Sequence, residues 1–232
     1  MPEGISDMST MLSNLELIRR VPLFALLTAS QAEAVAEAII KRRFKRGESI
    51  VEQGEKSNML FIILTGRVRV VTTDKRGREV ILATLQPGDY IGEMSLIDNE
   101  PHSASVRAEV QTDMLTLARA EFARCLPENS SMSYAIMKGL VQRLRQADRK
   151  IESLALMDVY GRVARSLLEF AVPDREGLLT IRERISRQDI AKMVGASREM
   201  VSRVMKDLED RGFIETRVDG SMLIKDRLTT LG

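Results

Sequence analysis

The sequence predicts an α+β chain built in three parts: an N-terminal all-β unit, one long amphipathic helix, and a C-terminal pair of helices followed by a β-hairpin. Three observations predict it. Gly47, Gly54, Gly66, Gly77 and Gly88 recur seven to twelve residues apart among short apolar runs, the texture of a barrel or sandwich. Met137, Leu140, Leu144, Ala147, Ile151 and Leu154 step by threes and fours without a break, an a/d heptad seam. Ser186 to Lys206 reads as two short helices joined at a glycine.

Size and composition bound what such a chain does. Its 232 residues allow one large or two modest domains. The longest apolar run, Met59 to Leu64, is far short of a membrane span, so no membrane partner is expected. No basic and then apolar leader is visible, so no secretory signal is expected either. Cys125 is the only cysteine, which excludes an internal disulfide or a multi-cysteine metal site and suits a reducing cytoplasm. The net charge of +2 divides unevenly: from Met132 onward there are 19 Lys+Arg against 15 Asp+Glu, or +4, leaving −2 for residues 1–131. The basic excess falls with the helical pair. No Ser/His/Asp set, ligand cluster or Gly-Lys phosphate loop is visible, and His102 is the only histidine; catalytic residues and a metal are not expected.

In chain order, residues 1–14 read as a disordered leader. Leu15 to about Ile40 is helical, interrupted at Pro22, with Gln31 to Ile40 the better helix. The β unit runs from Phe44 to about Leu117. Met59 to Leu64 has the continuous apolar character of a strand buried on both faces, whereas Arg67 to Thr72 alternates. Asp74 to Arg78 is a hairpin loop, Glu79 to Leu85 a strand, and Pro87-Gly88-Asp89 a turn. The turn leads into Gly92-Glu93-Met94, then Pro101-His102-Ser103-Ala104. Glycine beside an acid ahead of a short turn offers backbone amides for a phosphate and a carboxylate for ribose hydroxyls. The same pattern also describes an ordinary strand end. Ser131 to Met157 carries the seam, which either meets a second copy across a two-fold axis or packs on its own barrel.

Ser186 caps the first helix of the pair, with Asp189 three residues on; Gly195 ends it, and Ser197 caps the second. Val201, Val204 or Met205, and Leu208 form the buried stripe of that second helix, while Arg198, Glu199, Ser202, Arg203 and Lys206 share the opposite face. Arginine is shaped to bond guanine O6 and N7, and glutamate accepts from the cytosine amino group. The bland alternative is a solvated helix with a Glu199–Arg203 pair. Phe213 to Val218 and Met222 to Lys225 flank Asp219-Gly220, a tight-hairpin dipeptide, and Leu179 to Arg182 supplies a preceding strand. The order is that of a winged helix-turn-helix, a DNA-reading module.

With these parts assembled, the chain resembles the bacterial transcription regulators that include the cyclic-AMP receptor protein and the fumarate-nitrate regulator. Gly92-Glu93-Met94 with Pro101-x-Ser103-Ala104, Leu154 to Arg162, and Ser197 to Arg203 carry the resemblance, which extends from about Leu17 to Ile224. It implies a cyclic-nucleotide-binding-type β-barrel (jelly roll) over 15–130, a dimerisation helix over 131–157 and a winged helix-turn-helix over 158–232. Arg198, Glu199 and Arg203 become base-reading residues, with Ser186, Gln188, Ser197, Ser202 and Lys206 on the DNA backbone. Gly92, Glu93, Met94, His102, Ser103, Ala104, Arg143 and Asp148 become the effector set, and Met137, Leu140, Leu144, Ala147, Ile151 and Leu154 the homodimer interface. The implied partners are a palindrome with two G·C-containing half-sites and RNA polymerase, as for an activator.

The sequence departs from the pattern at the effector set. His102 stands where cyclic-nucleotide binders carry an arginine, and Ala147-Asp148 stand where the cyclic-AMP receptor has hydroxyl residues. Cyclic AMP, cyclic di-GMP and no effector at all therefore remain open. A regulatory nucleotide-binding subunit of an enzyme is the alternative class, and the Arg198/Glu199/Arg203 helix with its wing argues against it.

Overall fold

The computed structural model describes residues 13–25, 27–128, 130–217 and 219–225; the expected leader lies outside them except for Ser13 and Asn14. Helix α1 (Asn14–Arg19) begins at Asn14 because Ser13 and Glu16 form a reciprocal capping box. Pro22 then opens a single 3-10 turn, Pro22–Phe24, and α2 (Ala29–Ala38) follows behind a second box of Thr28 and Gln31. The helix ends two residues before the expected Ile40, which already starts β1 (Ile40–Phe44). Ile39 and Ile40 are β-branched and favour extended backbone there.

The β unit continues through β2 (Ser49–Val51), β3 (Met59–Thr65), β4 (Val68–Thr73), β5 (Glu79–Leu85), β6 (Tyr90–Ile91), the short helix α3 (Glu93–Asp98), β7 (Ser105–Ala108) and β8 (Thr112–Ala118). It forms two four-stranded sheets, ordered β1-β8-β3-β6 and β2-β7-β4-β5, a jelly-roll arrangement in place of a closed barrel. The apolar run of β3 is explained by its neighbours. Phe61 and Ile63 point into a core shared with Val68, Val106 and Met114 of the other strands. Leu60 and Ile62 point the opposite way, against Ile18, Val35, Leu115 and Phe122. A strand covered on both faces has no wet side to alternate with.

Helix α4 (Arg119–Glu128), which sequence patterning leaves unassigned, buries Phe122 in that second core. The long helix α5 (Ser130–Leu156) comes next and ends close to the expected Met157. Leu140, at an expected seam position, packs partly buried against the chain's own core beside Ile136. Met137, Leu144, Ile151 and Leu154 stay 50–64 % exposed, and Tyr134 and Val141 join them at 63 % and 50 %.

Helix α6 (Val159–Phe170) starts afresh, with the Gly161 amide donating to the Asp158 side chain at 2.8 Å. Arg162 ties the break together: its Nη1 donates to the Met157 carbonyl at 2.8 Å and its Nε to the Val194 carbonyl at 3.0 Å. After β9 (Val172–Pro173) and β10 (Leu179–Ile181) come α7 (Arg187–Val194), α8 (Arg198–Asp210), β11 (Ile214–Thr216) and β12 (Met222–Ile224). The last sheet runs β11-β12-β10-β9, over a core of Val163, Leu167, Ile190, Val201, Met205 and Leu208.

The chain divides into two compact units. One comprises the chain up to Val71 with Ala83–Val141, and the other comprises Thr72–Leu82 with the chain from Gln142 onward. The tip of the β4–β5 hairpin thus belongs to the same unit as the C-terminal helices. Among the described residues no helix is long and apolar enough to cross a membrane.

Candidate effector cassette and nucleic-acid interface

The cassette begins where β6 meets α3. Gly92 caps α3 with φ +94°, and a Cβ there would lie 2.5 Å from the Met59 carbonyl oxygen of β3. Only glycine combines that backbone with that approach. Glu93 is buried at 1 % exposure and engaged within the chain, whereas Met94 is half exposed. A glutamate this deep is there for its polar contacts, since a buried carboxylate without partners is costly.

The second half of the cassette is pinned to the loop after β2. The His102 amide donates to the Glu55 carbonyl and the Gly54 amide to the His102 carbonyl, each at 2.8 Å. The imidazole is buried, with Nδ1 3.2 Å from Ser95 Oγ and Nε2 2.8 Å from Ser57 Oγ. Burial holds the ring's pKa below its ordinary value, against the opposing pull of Glu55. Ser103 is exposed and Ala104 buried. The structure therefore brings Gly92, Glu93, Met94, His102, Ser103 and Ala104 into one cluster of the first unit. Arg143 and Asp148 sit on α5 within the second unit. Ser57 and Ser95 were missed; their hydroxyls become informative only once His102 is seen between them.

The helix pair of the second unit follows the sequence reading closely. The Asp189 amide donates to Ser186 Oγ at 3.0 Å, Gly195 ends α7 at φ +66°, and the Met200 amide donates to Ser197 Oγ at 3.1 Å. Val201, Val204, Met205 and Leu208 are buried. Arg198, Glu199, Ser202, Arg203 and Lys206 are all exposed, as are Ser186, Gln188 and Ser197. The Glu199 carboxyl lies below its usual pKa through its own backbone amide and the Ser197 hydroxyl, with Arg198 and Arg203 adding to the effect. It is an anion, and so an acceptor, at neutral pH. The Ser202 hydroxyl donates back to the Arg198 carbonyl at 2.9 Å and keeps its oxygen available as an acceptor.

The wing is a β11–β12 hairpin in register Ile214↔Ile224 and Thr216↔Met222. Its loop is wider than a two-residue turn: the Arg217 amide donates to the Ser221 carbonyl at 2.9 Å, and Asp219 accepts from the Ser221 amide and hydroxyl. The β4–β5 hairpin contributes two contacts to this unit. Glu79 pairs with Lys192 of α7, and Lys150 Nζ of α5 donates to the Ile81 carbonyl at 2.6 Å. Among the described residues no cluster of histidine, cysteine or acidic groups has metal-ligand geometry.

A helix pair with an exposed basic and acidic reading face, a wing, and a β unit with a glycine-acid cassette define the class: a winged helix-turn-helix regulator with a nucleotide-binding-type sensor domain. The comparisons agree. Residues 41–129 match the cyclic nucleotide-binding domain family and residues 161–228 the Crp-like helix-turn-helix domain family. The chain is 36 % identical over 186 residues to the cAMP-activated global transcriptional regulator Vfr of Pseudomonas aeruginosa, covering 76 % of this chain and 86 % of that protein. It is 30 % identical over 215 residues to the CRP-like cAMP-activated regulator of Mycobacterium tuberculosis, covering 91 % and 95 %. The solved structure of the c-di-GMP-responsive regulator CLP of Xanthomonas campestris superposes with a TM-score of 0.72 at 25 % identity, over 85 % of this chain and 98 % of that one. The chain belongs to the CRP/FNR family of DNA-binding transcriptional regulators.

Proposed function

We propose that the chain acts as a cytoplasmic homodimer that reads a palindromic DNA site, with its DNA affinity set by a cyclic nucleotide at the Gly92–Glu93 cassette. The exposed face of α8 carries this reading. Arg198, Glu199 and Arg203 lie at the helix N-terminus, where a helix entering the major groove meets base edges. Two such helices related by a two-fold axis read half-sites about one helical turn apart. The exposed stripe of Tyr134, Met137, Val141, Leu144, Ile151 and Leu154 supplies the axis. With this division of labour 15–130 senses, 131–157 dimerises and 158–232 binds DNA. RNA polymerase is the further partner, and the protein performs no catalysis itself.

Cyclic AMP and cyclic di-GMP are the effectors to consider, because the relatives that respond to them share this architecture. Glu93 accepts from ribose hydroxyls, and amides at 92–94 and 103–104 receive the phosphate. Arg143 and Asp148 enter this reading by resemblance alone. Ligand at the cassette shifts the dimer between poor and good DNA geometry. Arg162, bonded to the ends of both α5 and α7, is placed to carry that shift. Replacing Glu93 with Ala, and separately with Gln, is expected to remove the nucleotide dependence of binding to a palindromic duplex while the thermal transition persists. Unchanged dependence in both variants refutes the cassette assignment.

A further inference from the structure

We propose that His102 is a positioning residue of the cassette, whose ring bridges the hydroxyls of Ser57 and Ser95 and so fixes three segments in one geometry, leaving the effector's anion to other groups. The inference rests on the cassette being the effector site. An imidazole has two polar atoms, and both are used within the chain: Nδ1 toward Ser95 and Nε2 toward Ser57. A ring that reached for a phosphate would abandon one of them, leaving the hydroxyl of buried Ser95 or of half-buried Ser57 without that partner. The bridge joins the loop at 54–57, helix α3 through Ser95, and the 102–104 segment, whose backbone is already paired to Gly54 and Glu55.

The chemistry fits a neutral crosspiece. One nitrogen of a neutral ring donates and the other accepts, and a serine hydroxyl does either, so both tautomers satisfy both bonds. A doubly protonated ring would need both serines as acceptors and would strand a cation in an enclosed site. Glu55 faces the ring from the 54–57 loop, Glu93 and Asp98 occupy the two ends of α3, and Glu100 precedes the 101–104 segment. Residue 102 thus holds the amides of 103 and 104 in place, and the effector's phosphate is received by neutral donors.

Calorimetric titration with cyclic AMP and with cyclic di-GMP tests this at about pH 8 and about pH 6, on either side of the ordinary histidine pKa. Wild-type affinity is expected to be no tighter at the lower pH. Ser57→Ala and Ser95→Ala each weaken it about fivefold, the loss of one ordinary hydrogen bond. His102→Asn or His102→Gln retains more affinity than His102→Ala, since each keeps one of the two bridges. Affinity that rises at the lower pH in the wild type, and no longer rises in His102→Asn, makes the ring an anion ligand and overturns the proposal.

Should neither nucleotide bind, the effector reading fails, and the bridge is still decided in the free protein. His102 is the only histidine, so its ring protons give a single assigned titration by NMR. Its midpoint is expected below 6.5, because burial disfavours the cation, and to differ from the wild-type value in Ser57→Ala and in Ser95→Ala, each of which removes one of the ring's two hydrogen bonds. A midpoint unchanged in both variants overturns the bridge.

Discussion

Gly139→Ala tests how α5 is rooted on the β unit. Tyr90 of β6 is buried, and its phenol donates to the Ile136 carbonyl of α5 at 3.4 Å. Gly139 lies over the same phenol. A Cβ at 139 would overlap the Tyr90 hydroxyl oxygen closer than real contacts come, with Cζ at 3.1 Å and Cε1 at 3.7 Å. Two effects oppose. Alanine gains about 1 kcal/mol over glycine in a helix interior, while forcing a methyl into a filled site costs about 1–3 kcal/mol. The overlap is with a ring held by its own hydrogen bond and by the core behind it, so the steric term wins. A net loss of about 1 kcal/mol lowers the melting temperature by about 2–4 °C in a protein of this size.

The sign should change in a second background. Tyr90→Phe removes the overlapping oxygen and leaves Cζ as the nearest atom, a tight but tolerable neighbour. Gly139→Ala then becomes neutral or stabilising, although Tyr90→Phe itself costs about 0.5–1.5 kcal/mol for the lost bond. Thermal melts of the wild type, the two single variants and the double variant complete the cycle. A Gly139→Ala protein that melts at or above the wild type refutes the reasoning.

Three further outcomes are expected. Met205→Ala empties a fully buried site beneath the recognition helix and should cost about 2–5 kcal/mol in urea unfolding of the C-terminal unit. Arg203→Ala should cost about 1–3 kcal/mol of discrimination at one base pair of each half-site, whereas Lys206→Ala should weaken all duplexes alike and lower the salt slope by about 1; competition binding across single-base variants separates the two. Glu52 is held below its ordinary pKa of 4.5 by the Ser49 and Ser105 hydroxyls, with Arg107 adding to it. A depressed carboxyl contributes stability that is present above that value and lost as pH falls through the lower folded one. The melting-point gap between wild type and Glu52→Gln should hold from pH 8 to pH 6 and close below about pH 4.5.

Legibility in the sequence followed the physics of each segment. The helix pair was readable because its signals are local: Ser186, Gly195 and Ser197 act within one turn of themselves, and the α8 stripe needs no distant partner to be recognised. Strand β5 was legible for the same reason, bounded by Asp74–Arg78 and Pro87–Asp89. What the sequence did not disclose depends on tertiary context. Leu140 fits the heptad, and its partial packing on the β unit beside Ile136 is a contact the heptad pattern does not report. Helix α4 has no strong periodicity, and among its described side chains Phe122 is the one deeply buried. At the cassette, Gly92 and Glu93 announced themselves as neighbours in sequence. Ser57 stands 45 residues from His102, a separation at which no local pattern pairs a serine with a histidine. The Glu79–Lys192 pair, 113 residues apart, was invisible for the same reason.

The central claim is that a nucleotide at the cassette sets the affinity for a palindromic site. Fluorescence anisotropy with a labelled duplex carrying two G·C-containing half-sites, titrated with protein alone, with cyclic AMP and with cyclic di-GMP, measures it directly. The account predicts that one nucleotide tightens binding at least about fivefold, the low end of ordinary allosteric coupling, and that a duplex with one half-site scrambled loses most of the gain. Equal affinity under all three conditions contradicts it.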